Sequence, residues 1–145
     1  MKAITIKQPW VHAILHEGKD IENRSWRRDF RGWLALHASA RPDRYARFPR
    51  GHRLPDLDST PCSAICGVAR VVDIVTSSRS KWFWRPDDGS INFGWLLVEA
   101  TALEQPIPCK GALGLWTLTP GQVRAIRRQL PGLNLDSLQR IEAEP

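Results

Sequence analysis

Cations and aromatic side chains alternate along residues 18–33, in a pattern suited to binding a polyanion. Guanidinium and ammonium groups bind phosphate oxygens, and an indole ring stacks on an unpaired base. The stretch leads directly into an apolar run over residues 34–38, so these side chains would sit at the lip of a strand. It therefore predicts a nucleic-acid interface with Lys19, Arg24, Arg27, Arg28 and Arg31 as its cations, and Trp26 and Trp33 are candidates for stacking.

The net charge of the chain is concentrated in this region. The 145 residues include 21 Lys and Arg against 15 Asp and Glu, a net charge of +6. Residues 19–53 hold ten of the cations and four of the carboxylates, while the rest of the chain holds eleven of each. Such asymmetry predicts an anionic partner, and nucleic acid fits better than a membrane, because the basic segment contains no basic amphipathic helix with a broad apolar face. We expect the cations, including Arg41, Arg44, Arg47, Arg50 and Arg53, to converge around one groove.

Lys19, Glu22 and Arg24 are the residues most suited to a focused site. Lys19 and Arg24 are predicted to hold phosphate, Lys as a mobile point charge and Arg through two oxygens at once. On an extended segment Glu22 and Arg24 share one face and Lys19 points to the other, unless a turn follows Lys19. Glu22 either forms a structural ion pair with Arg24 or accepts a hydrogen bond from a base.

The remaining aromatic residues divide between core and surface. Trp33 begins an apolar strand and is expected in the core, whereas Trp26 fits the core and a stacking role equally well. Three consecutive aromatic side chains cannot all point inward, so Trp82, Phe83 and Trp84 form a second possible stacking platform. Core positions are expected for Trp10, Trp95 and Trp116.

Histidine and cysteine spacings do not indicate a metal site. His37 and Ser39 end the central strand, where a barrel cleft often opens, although His37 also fits a hydrogen-bonded core position. His12 and His16 are four residues apart but no third ligand accompanies them, and Cys62, Cys66 and Cys109 lack zinc spacing. We therefore predict neither a metal nor another cofactor.

The periodicity predicts an α+β, mainly β fold, a small mixed barrel of five to six strands with a helix after the first strand and another at the C-terminus. The expected elements are strands over 3–7, 33–38, 64–75 and 93–103, a short extended piece over 20–24, a strand closing at 118, and helices over about 9–17 and from Thr119 to Pro131. Residues 41–61 should be a long irregular connection, with one helical turn at 43–48. We expect one domain over residues 1–132 and a weakly ordered tail over 133–145.

Bulk properties set the expected compartment. No apolar run approaches the ~20 residues that cross a bilayer, and the N-terminus lacks the apolar stretch of a signal peptide. Three cysteines fit reduced thiols better than disulfides, so a cytoplasmic protein is expected. No feature fixes the oligomeric state, and a monomer is favoured.

Five short motifs resemble the ASCH domain, the activating-signal-cointegrator homology module of the PUA-like superfamily, over about residues 3–118. They are Gln8-Pro9-Trp10, Lys19-x-x-Glu22-x-Arg24-Ser25-Trp26, Arg31-Gly32-x-Leu34-x-Leu36-His37-Ala38, Cys66-Gly67-Val68-Ala69 and Gly114-x-Trp116. The family glycine before the Lys falls on Glu17, and Gly18 lies one position later. The resemblance implies a PUA-like pseudo-barrel with a cleft beside the first helix, formed partly by the Lys19-x-x-Glu22-x-Arg24 segment, and it implies binding of RNA or DNA. Together with the charge pattern and the strand end described above, it gives the full set of predicted nucleic-acid-binding residues, which are Lys19, Glu22, Arg24, Ser25, Trp26, Arg27, Arg28, Arg31, His37 and Ser39.

The resemblance also keeps an enzymatic alternative open. Some relatives are hydrolases, one removing an acetyl group from N4-acetylcytidine and another acting as a ribonuclease, and here Lys19, Glu22 and His37 would be the catalytic residues. The amidohydrolase type has a nucleophilic Thr where this chain has Glu22, and a carboxylate cannot act as that alkoxide. A binding module without chemistry is therefore preferred, and an accessory domain for protein interaction is the third alternative.

Overall fold

The computed structural model describes residues 1–136 and the backbone of residues 140–141. Its helices are α1 (Trp10–His16) and α2 (Pro120–Gln129), with one 3-10 turn at Leu57–Ser59. Its strands are β1 (Lys2–Ile6), β2 (Ile21–Arg24), β3 (Phe30–Ala38), β4 (Ala64–Val75), β5 (Phe93–Pro108), β6 (Leu115–Thr117) and β7 (Arg140–Ile141).

The strands form one curled sheet in the order β2-β5-β4-β3-β1-β6, with β7 paired to β3. β1 and β3 run parallel, because α1 and β2 intervene in the chain, and the other pairs are antiparallel. The register between β4 and β5 shifts at three places, and such irregularities bend a sheet. The predicted α+β pseudo-barrel, with a helix after the first strand and another near the C-terminus, is confirmed.

Alternate residues of the central strands build cores on both faces of the sheet. Ile4 and Leu36 pack with Val11 and Ile14 of α1, whereas Ala3 and Ala35 belong to the cluster that contains Ile126 of α2. The two helices therefore cover opposite faces. Trp33 and Trp95 are buried, as predicted, and Trp116 is partly buried.

Several element boundaries differ from the prediction. β3 begins three residues earlier than expected, at Phe30, and β5 continues to Pro108 because pairing with β4 resumes at Ile65 and Ala64. The helical turn predicted at 43–48 is wrong; only a tight turn occurs there. α2 begins as predicted, with a capping box in which the Thr119 hydroxyl accepts from Gln122 N and the Gln122 side chain accepts from Thr119 N.

The residues after α2 return to the sheet. Leu135 is buried in the α2-side core, and Asp136 forms an ion pair with Arg127. Residues 137–139 and 142–145 of the predicted weakly ordered tail lie outside the described residues.

None of the helices in the described part of the chain is long and apolar enough to span a membrane. All three cysteines are free, and burial raises the pKa of the Cys66 thiol to about 11.

Candidate functional site

A tight turn after α1 directs Lys19 into the protein. The amides of Glu17 and Lys19 both donate to the carbonyl of Ala13, each at 3.0 Å. Gly18 between them has φ +70°, a left-handed conformation that costs glycine nothing. The resulting reversal leaves Lys19 only 3% exposed and on the same side as Glu22. The orientation in which Lys19 points away from Glu22 required an extended segment that includes Lys19, and this condition is not met because β2 begins only at Ile21.

Lys19, Glu22 and Arg24 form a triad of two cations and one carboxylate, in which Lys19 and Glu22 are buried and Arg24 is half-buried. Lys19 Nζ lies 3.0 Å from Glu22 Oε1 and also donates to the carbonyl of Ile21, while Arg24 Nη2 lies 3.0 Å from Glu22 Oε2. Burial raises the pKa of Glu22, but Lys19 and Arg24 outweigh this effect, and the pKa of its carboxyl lies below the usual value. The triad thus holds a net positive charge in fixed positions.

Arg24 also connects the two ends of the curled sheet. Its Nη2 donates to the backbone carbonyl of Thr5 at 2.9 Å, beyond the point where β6 stops pairing with β1. The guanidinium therefore bridges β2, at one end of the strand order, to β1 near the other. Arg24 has a structural role in addition to any contact with a ligand.

Two asparagines hold the aromatic loop that follows β4. Asn23 Nδ2 donates to the carbonyl of Trp82 at 3.0 Å, and Asn23 Oδ1 accepts from the amide of Trp84 at 3.0 Å. The buried Asn92 side chain donates to Asn23 Oδ1 and to the carbonyl of Trp84, both at 2.8 Å. Trp82 and Phe83 are buried, but Trp84 is 58% exposed on this fixed backbone, which agrees with the prediction that the three cannot all point inward.

The triad and the aromatic loop meet at a cavity of about 830 Å³. Five of its residues are cationic, namely Lys7, Lys19, Arg24, Arg47 and Lys81, and five are aromatic, namely Trp10, Phe48, Trp82, Phe83 and Trp84. Trp10 lies 5.5 Å from Phe48 between ring centroids, Phe48 lies 5.4 Å from Trp82, and Lys19 Nζ is 5.8 Å from the Trp10 centroid. The cavity therefore combines an aromatic wall with positive charge and a single carboxylate, that of Glu22.

The structure brings together only part of the predicted site. Lys19, Glu22, Arg24 and Ser39 line the cavity, whereas the other six predicted residues do not. The loop after β2 carries three of these six as exposed side chains, and Arg27 there forms an ion pair with Asp29 at 3.2 Å. The three are Ser25, Arg27 and Arg28.

Trp26 and Arg31 make contacts within the protein. Trp26 is partly buried and packs edge-on against Trp95, with 5.2 Å between the ring centroids. Arg31 lies at the start of β3 and pairs with Asp73 at 2.9 Å. Since β1 and β3 are parallel, Arg31 lies at the opposite end of the strands from Lys7 and Ser39.

His37 is a sealed core residue and not a cleft residue. It is 1% exposed, its Nε2 donates to the carbonyl of Cys109 at 2.8 Å, and its Nδ1 accepts from the Thr5 hydroxyl at 3.2 Å. Gly111 passes so close that a Cβ there would lie 2.8 Å from Nδ1. The hydrogen-bonded core position is therefore the correct one of the two alternatives, and a catalytic role would require the 109–111 segment to move.

Several cavity residues were not among the predicted site residues, and most of them come from other parts of the chain. Lys7 follows β1, and Lys81 precedes the aromatic loop, both outside the basic segment. There was a reason in the sequence to place Lys81 at the site, since it adjoins three consecutive aromatic residues. There was no comparable reason for Lys7, Asn23 or Phe48. Across residues 1–136, no group of three or more His, Cys, Asp or Glu is arranged to hold a metal ion.

Comparison with known proteins gives a family and a fold. The sequence profile of the ASCH domain matches residues 4–106. An ASCH protein from Zymomonas mobilis has a similar structure, with a TM-score of 0.53 at 13% identity over 91% of this chain and 94% of that one. A mutant of that protein superposes with a TM-score of 0.59 at 14% identity over 88% and 96%. No curated protein matches the sequence.

Proposed function

This chain belongs to the ASCH domain family, and from that premise we propose that its cavity binds an unpaired stretch of nucleic acid. Membership of the family supports a nucleic-acid-related role in general. The observation that carries the finer proposal is the cavity itself, in which aromatic rings and cations from separate segments surround one space.

The walls of the cavity suit a single unstacked base. Its volume of about 830 Å³ falls in the range of pockets that enclose small molecules. The exposed ring of Trp84 is free to stack on a base, and base–aromatic stacking contributes roughly 1–3 kcal/mol per base. A base inside a duplex is already stacked on its neighbours, so a single strand is the preferred form of the ligand.

Different cations serve different parts of the ligand. Lys19 and Arg24 already neutralise Glu22, so they act mainly as the fixed polar floor of the cavity. Lys7, Arg47 and Lys81 are exposed, and none of them forms an ion pair with another described residue. These three are the proposed phosphate contacts, because an unpaired surface cation loses no internal interaction when it binds a phosphate.

Arg47 and Arg50 offer a matched test within one loop. Both are exposed, but only Arg47 lines the cavity. We expect Arg47→Ala to weaken binding of a labelled single-stranded RNA at ~50 mM salt and to reduce the slope of log K against log[salt] by about 0.7, the contribution of one phosphate. Arg50→Ala should change both quantities much less. Fluorescence anisotropy measures both, and the absence of any binding of RNA or DNA by the wild-type protein would refute the proposal.

A hydrolase acting on RNA or a modified nucleoside is the second candidate. The favouring observation is the buried Lys19–Glu22 pair in the cavity wall, with 3.0 Å between the charged atoms. The lowered pKa of Glu22 weighs against it, since a carboxylate that holds its charge so readily is a poor proton acceptor. Incubation with RNA and with N4-acetylcytidine decides between the two, and product formation that Lys19→Ala abolishes would establish the enzyme.

A further inference from the structure

A second cleft adjoins the cavity, and Lys7 lines both. The cleft has a volume of about 460 Å³. Because the two depressions share a side chain, they lie next to each other on the surface. The other residues of the cleft are Arg41, Pro42, Asp43, Arg44 and Tyr45.

Tyr45 is an unusually exposed aromatic residue. It is 92% exposed, and no other ring of the described residues packs against it. Arg44 is held by Asp58 at 3.0 Å, so the cations of the cleft without an internal partner are Lys7 and Arg41. An exposed ring beside two unpaired cations has the same composition as the aromatic and cationic rim of the main cavity.

Hydrogen bonds fix the backbone that carries Tyr45. Asp43 Oδ1 accepts from the amide of Tyr45 at 3.0 Å, and Asp43 Oδ2 accepts from Trp10 Nε1 at 3.2 Å. The amide of Asp43 donates to the carbonyl of Gln8 at 2.6 Å, and the Ser39 hydroxyl donates to the carbonyl of Arg41 at 3.0 Å. Trp10 also lines the main cavity, so the hydrogen bond between Trp10 and Asp43 fixes the position of the cleft relative to the cavity. A segment whose backbone is already fixed loses less conformational entropy when a ligand binds to it.

We propose that the second cleft is a subsite for the adjacent nucleotide of the same strand. Tyr45 stacks on the base of this nucleotide, and Lys7 and Arg41 contact the phosphate that links it to the nucleotide in the main cavity. This assignment rests on the proposed function, because it requires a first nucleotide in that cavity. It makes the preferred ligand a strand of at least two nucleotides, and not a free nucleotide.

Calorimetric titration with adenosine 5′-monophosphate and with the matching adenylate dinucleotide tests this inference. The wild-type protein should bind the dinucleotide roughly tenfold or more tightly than the mononucleotide, as one further stacked base provides. Tyr45→Ala should lower the dinucleotide affinity roughly fivefold or more and leave the mononucleotide affinity within about twofold. Tyr45→Phe should retain the wild-type values, because stacking does not need the hydroxyl.

The outcomes separate this inference from the proposed function. Equal affinities of the wild-type protein for both ligands would overturn the subsite and leave the main cavity as the binding site. The subsite is also overturned if Tyr45→Ala lowers the affinity for both ligands equally, or if it lowers the affinity for neither ligand. If the wild-type protein binds neither ligand, the subsite is overturned, and titration with a longer single-stranded RNA then decides whether the proposed function fails as well.

Discussion

The charge of Glu22 connects the stability of the fold to pH. The pKa of its carboxyl is below the usual value near 4.5 in the folded protein, so ionised Glu22 stabilises the folded state above that value. This stabilisation is lost as pH falls from about 4.5 through the lower folded pKa. The wild-type protein should therefore lose stability in that range, in part because the carboxylate that Lys19 and Arg24 contact becomes protonated.

Glu22→Gln isolates this contribution. At pH 7 the variant leaves Lys19 and Arg24 without a counter-charge, and breaking a buried ion pair costs about 3–5 kcal/mol. The difference in free energy of unfolding between variant and wild type should shrink as pH falls below about 4.5, because the wild-type carboxyl becomes neutral as well. Urea denaturation at several pH values measures it, and a difference that stays constant would contradict the account.

At the residue scale, the sequence predicted the triad but not its geometry. Lys19, Glu22 and Arg24 stand in a recognisable motif, so their importance could be predicted from their types and spacing. Their contacts depend on the chain reversal at Gly18. A prediction that assumes side chains alternate between the two faces of a strand takes no account of such a reversal. For His37 the sequence left two alternatives open, because the segment that covers it, 109–111, lies some seventy residues away in the chain.

At the scale of the elements, the position of the aromatic loop depends on β2 and on the residue before β5. Asn92 is buried, and its side chain donates to Asn23 and to the carbonyl of Trp84. Asn92→Ala leaves that carbonyl and Asn23 Oδ1 each without one donor, at a cost of about 1–3 kcal/mol. We expect it to weaken binding of single-stranded RNA several-fold, because Trp84 is no longer held at the cavity rim.

Thr119→Ala is the control for this variant. It removes the hydroxyl that caps α2, the helix on the face of the sheet opposite α1, and the loss of such a cap costs about 0.5–2 kcal/mol. Its melting temperature should fall to a similar extent while RNA affinity stays unchanged. Comparable losses of affinity in the two variants would show that reduced stability, and not the position of Trp84, explains the effect of Asn92→Ala.

Local signals account for the elements that the sequence predicted well. The start of α2 was predictable from Thr119, Pro120 and Gln122, because a cap and a first-turn Pro act over a few residues. The length of β5 was not, since its continuation past Pro106 depends on renewed pairing with β4. The irregular 41–61 connection was expected, but the hydrogen bonds of Asp43 that order part of it reach Gln8 and Trp10.

At the scale of the whole molecule, the basic segment does not form one surface. Three of its ten cations, Lys19, Arg24 and Arg47, line the cavity, while Arg41 and Arg44 line the second cleft. Arg31 lies at the other end of the strands. The expected convergence therefore holds for part of the segment, because a curled sheet brings residues together by strand position and not by order in the chain.

The site draws its charge from three separate parts of the chain. Lys7 follows the first strand, Arg47 lies in the long connection and Lys81 precedes the aromatic loop. Arg124 and Arg128 are exposed on α2, on the other face of the sheet. These two arginines give a control of equal charge, since removing them changes the net charge by the same amount as removing Lys7 and Lys81.

The most direct test compares these two pairs in binding one labelled single-stranded RNA of about ten nucleotides at ~50 mM salt. If the cavity is the binding site, Lys7→Ala with Lys81→Ala should reduce the affinity roughly tenfold or more, and Arg124→Ala with Arg128→Ala by no more than about twofold. Equal losses of affinity in the two double variants would mean that RNA binding depends on the net charge alone, and that RNA does not bind in the cavity.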